Sequence, residues 1–337
     1  MDLDIKKLTP QERYRLIGKL IEEIKLRKYS YQTGKAYISV VKRFLKFGKR
    51  RREFLLSYYN FLRLHLSLKG KELLTFREGF MIVDTHAQLW TKEVIQSLPA
   101  EMTKSYSKIF GDEFGATIET MIASMNAAGV DKAVVVGVDA ETTFSYRVSN
   151  YAIHRAVEES KGRLIGFAGV DPHKGRVALK ELEKAVDELK LKGLKLMPHL
   201  HMPHPNDAKM YPIYELAQEL NIPILFHTGT QFHAGTKIKF CKPIDIDDVA
   251  IDFPDLKLII AHFGYPWYEE ALAVVRRNEN VYFNIAGWSP RYIPEIVVKQ
   301  MNTILSDKVL FETDFPLMNH SRVVEELKQL NLKEKNL

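Results

Sequence analysis

A chain of 337 residues, 46% hydrophobic and 27% charged, is long enough to bury a full core as one large domain or two smaller ones. It holds no run near the roughly 18 consecutive apolar residues of a membrane span, and the charged stretch MDLDIKKLTPQERYR reads against a signal peptide, so a soluble protein in the cytoplasm with no membrane partner is expected. The net charge of +7 is unevenly held: residues 1–80 carry 20 Lys and Arg against 8 Asp and Glu and the other 257 carry 29 against 34, while the single cysteine, Cys241, excludes an intrachain disulfide and an all-thiolate zinc site.

Residues 1–79 read as a basic helical segment. PQERYRLIGKLIEEIKLRK puts Tyr14, Ile17, Ile21 and Ile24 on one stripe at spacings of three and four. QTGKAYISVVKRFLKFG repeats this with Ala36, Val40, Val41, Phe44, Leu45 and Phe47 and ends at Gly48, a suitable C-cap. After GKRRREF, the stretch FLLSYYNFLRLHLSLKG fits a third helix, and Gly79 and Met81 then introduce a different pattern.

From residue 80 onward, eight short β-branched runs alternate with mostly amphipathic stretches. The runs are FMIVDTH at 80, KAVVVGV at 132, RLIGFAGV at 163, GLKLMP at 193, IPILFH at 222, LKLIIAHF at 256, NVYFNIAG at 280 and KVLFETD at 308. Between them lie helical segments such as GATIETMIASMNAAG, NYAIHRAVEESKG and YEEALAVVRRN. Near-continuous apolar strands separated by single helices are the pattern of parallel strands buried on both faces. Eight such units over about 250 residues match a barrel. The expected fold is α/β, a (β/α)8 TIM barrel over 80–337 preceded by a small basic all-α segment over 1–79. A doubly wound open sheet is the competing architecture, but no glycine-rich fingerprint follows the first strand.

A barrel of this kind builds its active site at the C-terminal ends of its strands. Here the first strand ends in His86, the fifth in His227, the sixth in His262 and the eighth in Asp314. The fourth ends in KLMPHLHMPHPND, with Lys195, His199, His201 and His204. A lone histidine after a strand is more often a hydrogen-bonded loop residue than a ligand. Three histidines and an aspartate at the same end of different strands point instead to a shared site. Imidazole and carboxylate together suit Zn²⁺, Mn²⁺ or Fe²⁺, with one coordination position left open for water or substrate.

VDTHAQLW, GLKLMPH, YPIYELAQELNIPILFHTGT, FPDLKLIIAHFGYPW, NVYFNIAG and LFETDFP resemble, in order and spacing, the amidohydrolase-related family of metal-dependent TIM-barrel enzymes. This branch includes aminocarboxymuconate-semialdehyde decarboxylase-like proteins and lactone hydrolases, and the resemblance runs from about 81 to about 330. It implies one divalent ion, zinc first with manganese or iron as alternatives. The implied metal positions are His86, Gln88, His227 and Asp314, with Asp314 and His262 in catalytic roles. Three departures stand out. Gln88 replaces the second histidine of a His-x-His pair, so it ligates through its amide oxygen, or faces substrate while His86, His227 and Asp314 hold the ion, or the ion is lost. Glu312 stands where glycine is usual and is expected to point between strand and helix towards a lysine. The chain ends at LNLKEKNL, short of the expected closing helix.

An ion held this way lowers the pKa of bound water or polarises a carbonyl. The expected function is therefore a metal-dependent hydrolase of an amide or lactone, or a non-oxidative decarboxylase, acting on a small anionic molecule. Lys195, His199, Arg291 and Trp288 are the candidate substrate-binding residues, although Lys195 equally reads as an ion pair inside the barrel. Trp90 and Trp267 join Trp288 as candidate pocket walls. The segment EEIKLRKYSYQTGKAYISVVKRFLKFGK resembles the core-binding (SAM-like) helices of tyrosine recombinases, without that family's catalytic Arg, His and Tyr downstream. It implies non-specific DNA binding through residues 1–79, and with it an alternative function, a DNA-associated protein with a weak or inactive barrel. Solvated helices on a fusion remnant are the plainer reading. A homodimer is compatible with all of these features.

Overall fold

The computed structural model describes residues 81–333 except 113, 234 and 286; the helices and DNA contacts expected over 1–79 lie outside the described residues. Contacts divide the chain into two units, and the second, Met81–Leu337, is the one described below.

Eight parallel strands form the centre: β1 (Val83–Gln88), β2 (Lys132–Val136), β3 (Leu164–Gly169), β4 (Leu194–Leu196), β5 (Ile224–Phe226), β6 (Leu258–Ile260), β7 (Val281–Asn284) and β8 (Val309–Leu310). Each pairs with the next in chain order. The ring then closes on itself. Thr85 N–H donates to the Phe311 carbonyl at 2.9 Å, Asp314 N–H to that of His86 at 2.9 Å, and Gln88 N–H to that of Phe315 at 2.7 Å. This is the (β/α)8 barrel that the alternation of runs implies; seven strands fall within the β-branched runs, and β1 runs two residues past the end of its own, to Gln88.

Each strand leads, directly or through shorter inserted elements, to one barrel helix: α1 (Ile118–Ala128), α2 (Asn150–Glu159), α3 (Arg176–Asp187), α4 (Tyr211–Glu219), α5 (Asp245–Asp252), α6 (Tyr268–Arg277), α7 (Glu295–Met301) and α8 (His320–Gln329). Helix α8 corrects the sequence reading, because the closing helix is present. Asn319 caps it by accepting from Ser321 N–H, and it buries Val323 and Leu327. Its short, charged sequence HSRVVEELKQ hides the stripe. No helix among the described residues is long and apolar enough to cross a membrane.

Strand alternation divides the core in two. Ala133, Val135, Leu194, Leu196, Ile224, Phe226, Leu258 and Ile260 join the large layer shared with the helices, whereas Val134, Val136, Phe167, Leu225, Ile259 and Ala261 form a separate cluster. The second cluster fills the ring, since it takes the opposite face of the same strands. Two insertions rise over the C-terminal rim: helices Lys92–Gln96 and Ala100–Phe110 after β1, and an antiparallel hairpin of Val138–Ala140 with Tyr146–Val148 after β2.

Asp84 fastens the closing seam. Its buried carboxylate accepts from His86 N–H at 3.0 Å, from Thr313 N–H at 3.1 Å and from the Thr313 hydroxyl. His320 Nε2, at the start of α8, approaches the same carboxylate at 3.2 Å. Removing one member of a buried polar set of this kind costs about 3 kcal/mol or more. Asp84→Ala is therefore expected to lower the free energy of unfolding in urea by that order, and Asp255→Ala, at an exposed position, to leave it almost unchanged. Equal losses in the two variants would contradict this assignment.

Candidate active site

Strand β1 reaches the site through a bulge. Asp84 and Ala87 pair with Ala133 and Val135, so two residues, Thr85 and His86, share the slot opposite Val134. An extra residue in one strand re-aims the side chains around it. Here His86 and Gln88 converge on Asp314. Gln88 Nε2 donates to Asp314 Oδ1 at 2.9 Å and lies 3.2 Å from His86 Nε2, which is itself 3.8 Å from Asp314 Oδ1. The amide therefore turns its nitrogen towards the carboxylate and imidazole. In this geometry Gln88 braces Asp314.

Glu312 is the residue whose part the sequence concealed. It does not point out between strand and helix; it is fully buried, with Oε2 3.0 Å from His86 Nδ1 and Oε1 3.2 Å from His262 Nδ1. One carboxylate thus faces the Nδ1 atoms of two imidazoles, which turns the Nε2 atom of each away from it. Burial opposes its ionisation, but the two imidazoles, His262 foremost, hold its carboxyl down at about 2. Burial also opposes protonation of His262, yet the Glu312 charge raises its pKa above the ordinary histidine value.

His262 and Phe263 follow β6 with φ of 57° and 39°, both left-handed, and the His262 N–H is taken by Asn284 Oδ1 at 2.8 Å. Such conformations are uncommon outside glycine and are held by surrounding structure. Gly287 is part of that surrounding, since a Cβ there would sit 2.3 Å from His262 Nδ1. His227, just past β5, is buried, and its Nε2 has no hydrogen-bond partner among the described residues. Its ring centroid lies 4.9 Å from that of His262 and 4.3 Å from that of His199. Burial pushes the pKa of His227 and of His199 well below the ordinary value, so both stand as neutral imidazoles.

These residues fit a divalent ion. His227 offers a buried nitrogen with no partner, His86 presents Nε2 because Glu312 occupies its other nitrogen, and Asp314 brings a carboxylate beside it. Two nitrogens and an oxygen are a donor set for Zn²⁺, Mn²⁺ or Fe²⁺. The expected quartet does not gather as a single cluster, however. Among the described residues, His, Cys, Asp and Glu donor atoms within 4.8 Å of one another form two groups, His86 with His262 and Glu312, and His199 with His227 and Cys241.

Above them lies a cavity of about 210 Å³ lined in part by Gln88, His199, His227, His262 and Asp314. Trp90, Tyr106, Tyr146, Phe232 and Trp288 make its aromatic wall. The two tryptophans were legible; the tyrosines and Phe232 were not. Tyr106 comes from the helix inserted after β1, its ring tilted 45° to that of Trp90 at 4.8 Å, and Tyr146 from the hairpin after β2. The spacing of Tyr106 and Phe110, four residues apart, is the signal that could have marked that helix. Trp267 does not line the cavity, and among the described residues neither does any lysine or arginine. Lys195 lies on the inner face of β4, 1% exposed, with Nζ unpartnered among the described residues and its pKa pushed down to about 8 by burial. Arg291 is on the surface, 2.5 Å from Glu326 Oε1. His201 and His204 are occupied by the Asp139 carbonyl and by Asp245.

A closed parallel barrel with histidines and an aspartate at the strand ends defines a class, the metal-dependent barrel hydrolases and lyases. The amidohydrolase family profile matches residues 83–336, and the chain belongs to that family. It is 24% identical over 268 residues, 66% of this chain and 80% of its relative, to the gamma-resorcylate decarboxylase of Polaromonas sp.. Its fold is similar to that of a TIM-barrel protein of Bordetella bronchiseptica, with a TM-score of 0.64 and 22% identity over 76% of this chain and 94% of the other. It is also similar to a Polaromonas dihydroxybenzoic acid decarboxylase solved with bound manganese and 2-nitroresorcinol, with a TM-score of 0.56 and 16% identity over 77% and 93% of the two chains.

Groups that orient a metal-bound histidine are worth roughly 10–100-fold in metal affinity or activity. Glu312→Gln, which removes the charge and leaves one of the two imidazoles facing an amide donor, is expected to weaken manganese binding by that order in equilibrium dialysis, with the circular dichroism unchanged. An unaltered affinity would contradict the role given to Glu312.

Proposed function

We propose that this protein is a metal-dependent lyase that releases CO2 from a small, planar, anionic acid, with the ion held by His86, His227 and Asp314. The makeup of the cavity carries this reading. Its wall is aromatic and suits a flat ring, and among the described residues no lysine or arginine lines it. A substrate carboxylate entering there needs positive charge from elsewhere. A divalent ion, when bound, supplies that charge and draws electron density from the substrate oxygens. Manganese, present in the Polaromonas decarboxylase structure, is the ion we favour over zinc.

The chain's own residues do the rest. Trp90 and Trp288 fix the plane of the ring. Glu312 holds the Nδ1 proton of His262 and favours its imidazolium, whose Nε2–H is the proton to be transferred. When the bond to the carboxylate breaks, its electron pair stays on the ring carbon, and His262 delivers a proton to that carbon as CO2 leaves. The same parts support hydrolysis of a lactone, in which Asp314 takes the proton of the attacking water. The two reactions differ in product, CO2 in one and a ring-opened acid in the other.

The test is a CO2-release assay of the chelated full-length protein with a panel of hydroxybenzoates, before and after manganese is restored. Activity is expected only with the metal, and His262→Asn is expected to lower turnover by about 10²–10⁴-fold with metal content unchanged. Absence of manganese-dependent CO2 release across the panel, or full activity in His262→Asn, would overturn the reading.

Residues 1–79 support a separate proposal, on charge and the recombinase resemblance alone: non-specific contact with duplex DNA. A mobility shift that weakens by orders of magnitude between about 50 and 200 mM salt is expected, and it should disappear when residues 1–79 are removed. A shift that survives the deletion would contradict it.

A further inference from the structure

The second donor group at the cavity uses none of His86, Gln88 or Asp314. His199 stands on the short helix Pro198–His201 after β4, His227 directly follows β5, and Cys241 ends the turn Ile238–Cys241. We propose that His199, His227 and Cys241 form a second metal site, overlapping the first at His227 and selective for thiophilic divalent ions such as zinc, cobalt and cadmium.

Four observations carry it. The three donor atoms lie within 4.8 Å of one another, with Cys241 Sγ 3.7 Å from His199 Nδ1. Zn–S of about 2.3 Å and Zn–N of about 2.0–2.1 Å, at a tetrahedral angle, put sulfur and nitrogen about 3.6 Å apart, so this pair is already near ligating separation. All three residues are buried, and His227 Nε2 is a buried nitrogen with no partner among the described residues. Unpartnered buried nitrogens are uncommon in folded proteins and point to a missing ligand. Finally, His199 and His227 both line the cavity, which leaves a fourth position open to water or substrate, as in zinc sites with three protein ligands.

Binding is an exchange: the S–H bond of Cys241 breaks, a sulfur–metal bond forms, and the proton leaves to solvent. His227 belongs to this set and to the one proposed for catalysis, so one ion at a time can use it. Thiophilic ions settle on sulfur, harder ions on the Asp314 carboxylate. Zinc or cadmium would then inhibit the manganese-supported reaction by withdrawing His227. The site does not depend on that reaction, since none of its three residues was assigned from it except the shared histidine.

The test is titration of metal-free full-length protein with Co²⁺, followed by absorption. Cys241 is the only cysteine of the chain, so a thiolate-to-cobalt charge-transfer band in the near ultraviolet can come from no other residue. The expected result is that band at one equivalent, together with intense tetrahedral bands in the visible. It should vanish in Cys241→Ser and persist in Asp314→Asn. Cobalt bound without the band, no cobalt bound, or a band lost in Asp314→Asn would each overturn the proposal. The first and last of these leave the lyase reading untouched, and a normal band in a protein without manganese-dependent turnover sinks that reading alone.

Discussion

The seam where β8 meets β1 governs the mouth of this barrel. The ladder of β8 has only two residues, Val309–Leu310, too few to hold a ring closed by strand pairing. Closure passes instead to three backbone hydrogen bonds past the ladder and to the Asp84 carboxylate, which ties Thr313 and His86 together. Residues 84–88 and 311–315 interleave across that line, and therefore His86, Gln88, Glu312 and Asp314 arrive at one place although 226 positions separate the paired side chains. Asp314 is held in the left-handed region at φ 56°, a conformation that costs a non-glycine residue about 1–3 kcal/mol. Its N–H bond to the His86 carbonyl belongs to the same seam.

A floor of four histidines and two carboxylates sits where burial is expensive for charge, and the structure resolves this in two ways. Glu312 is shared between two imidazoles, so this fully buried charge is partnered on both oxygens. His227 and His199 are kept neutral, which suits nitrogens that act as donors. Lys195 is the remaining case, a buried amine without a hydrogen-bond partner among the described residues. Among the described residues no lysine or arginine lines the cavity, so under the proposed function affinity for an anionic substrate would depend on the ion at the floor.

The barrel was readable because its strands are buried on both faces and so stand out as unbroken apolar runs. His86, His227, His262 and Asp314 were readable for a related reason: the topology fixes which end of a strand carries chemistry, and a residue's distance from the end of a run is local information. Glu312 was not readable. Its direction depends on the bulge at Thr85 and His86 and on the closing of a ring, neither of which leaves a local trace. Arg291 looked like a cation at the mouth until Glu326, 35 positions later, claimed it. Tyr106 and Tyr146 come from insertions between barrel units, where the repeating pattern gives no guidance. The amide of Gln88 shows the same limit from another side: its composition was visible, but the face it turns to Asp314 was not.

The central claim is that side chains from β1, β5 and β8 enclose one ion at the barrel mouth. Anomalous diffraction from crystals of the full chain soaked in manganese tests it directly. The account requires a single peak in contact with His86 Nε2, His227 and Asp314, on the floor of the aromatic cavity. Density free of any such peak, or manganese bound away from these three side chains, would contradict it.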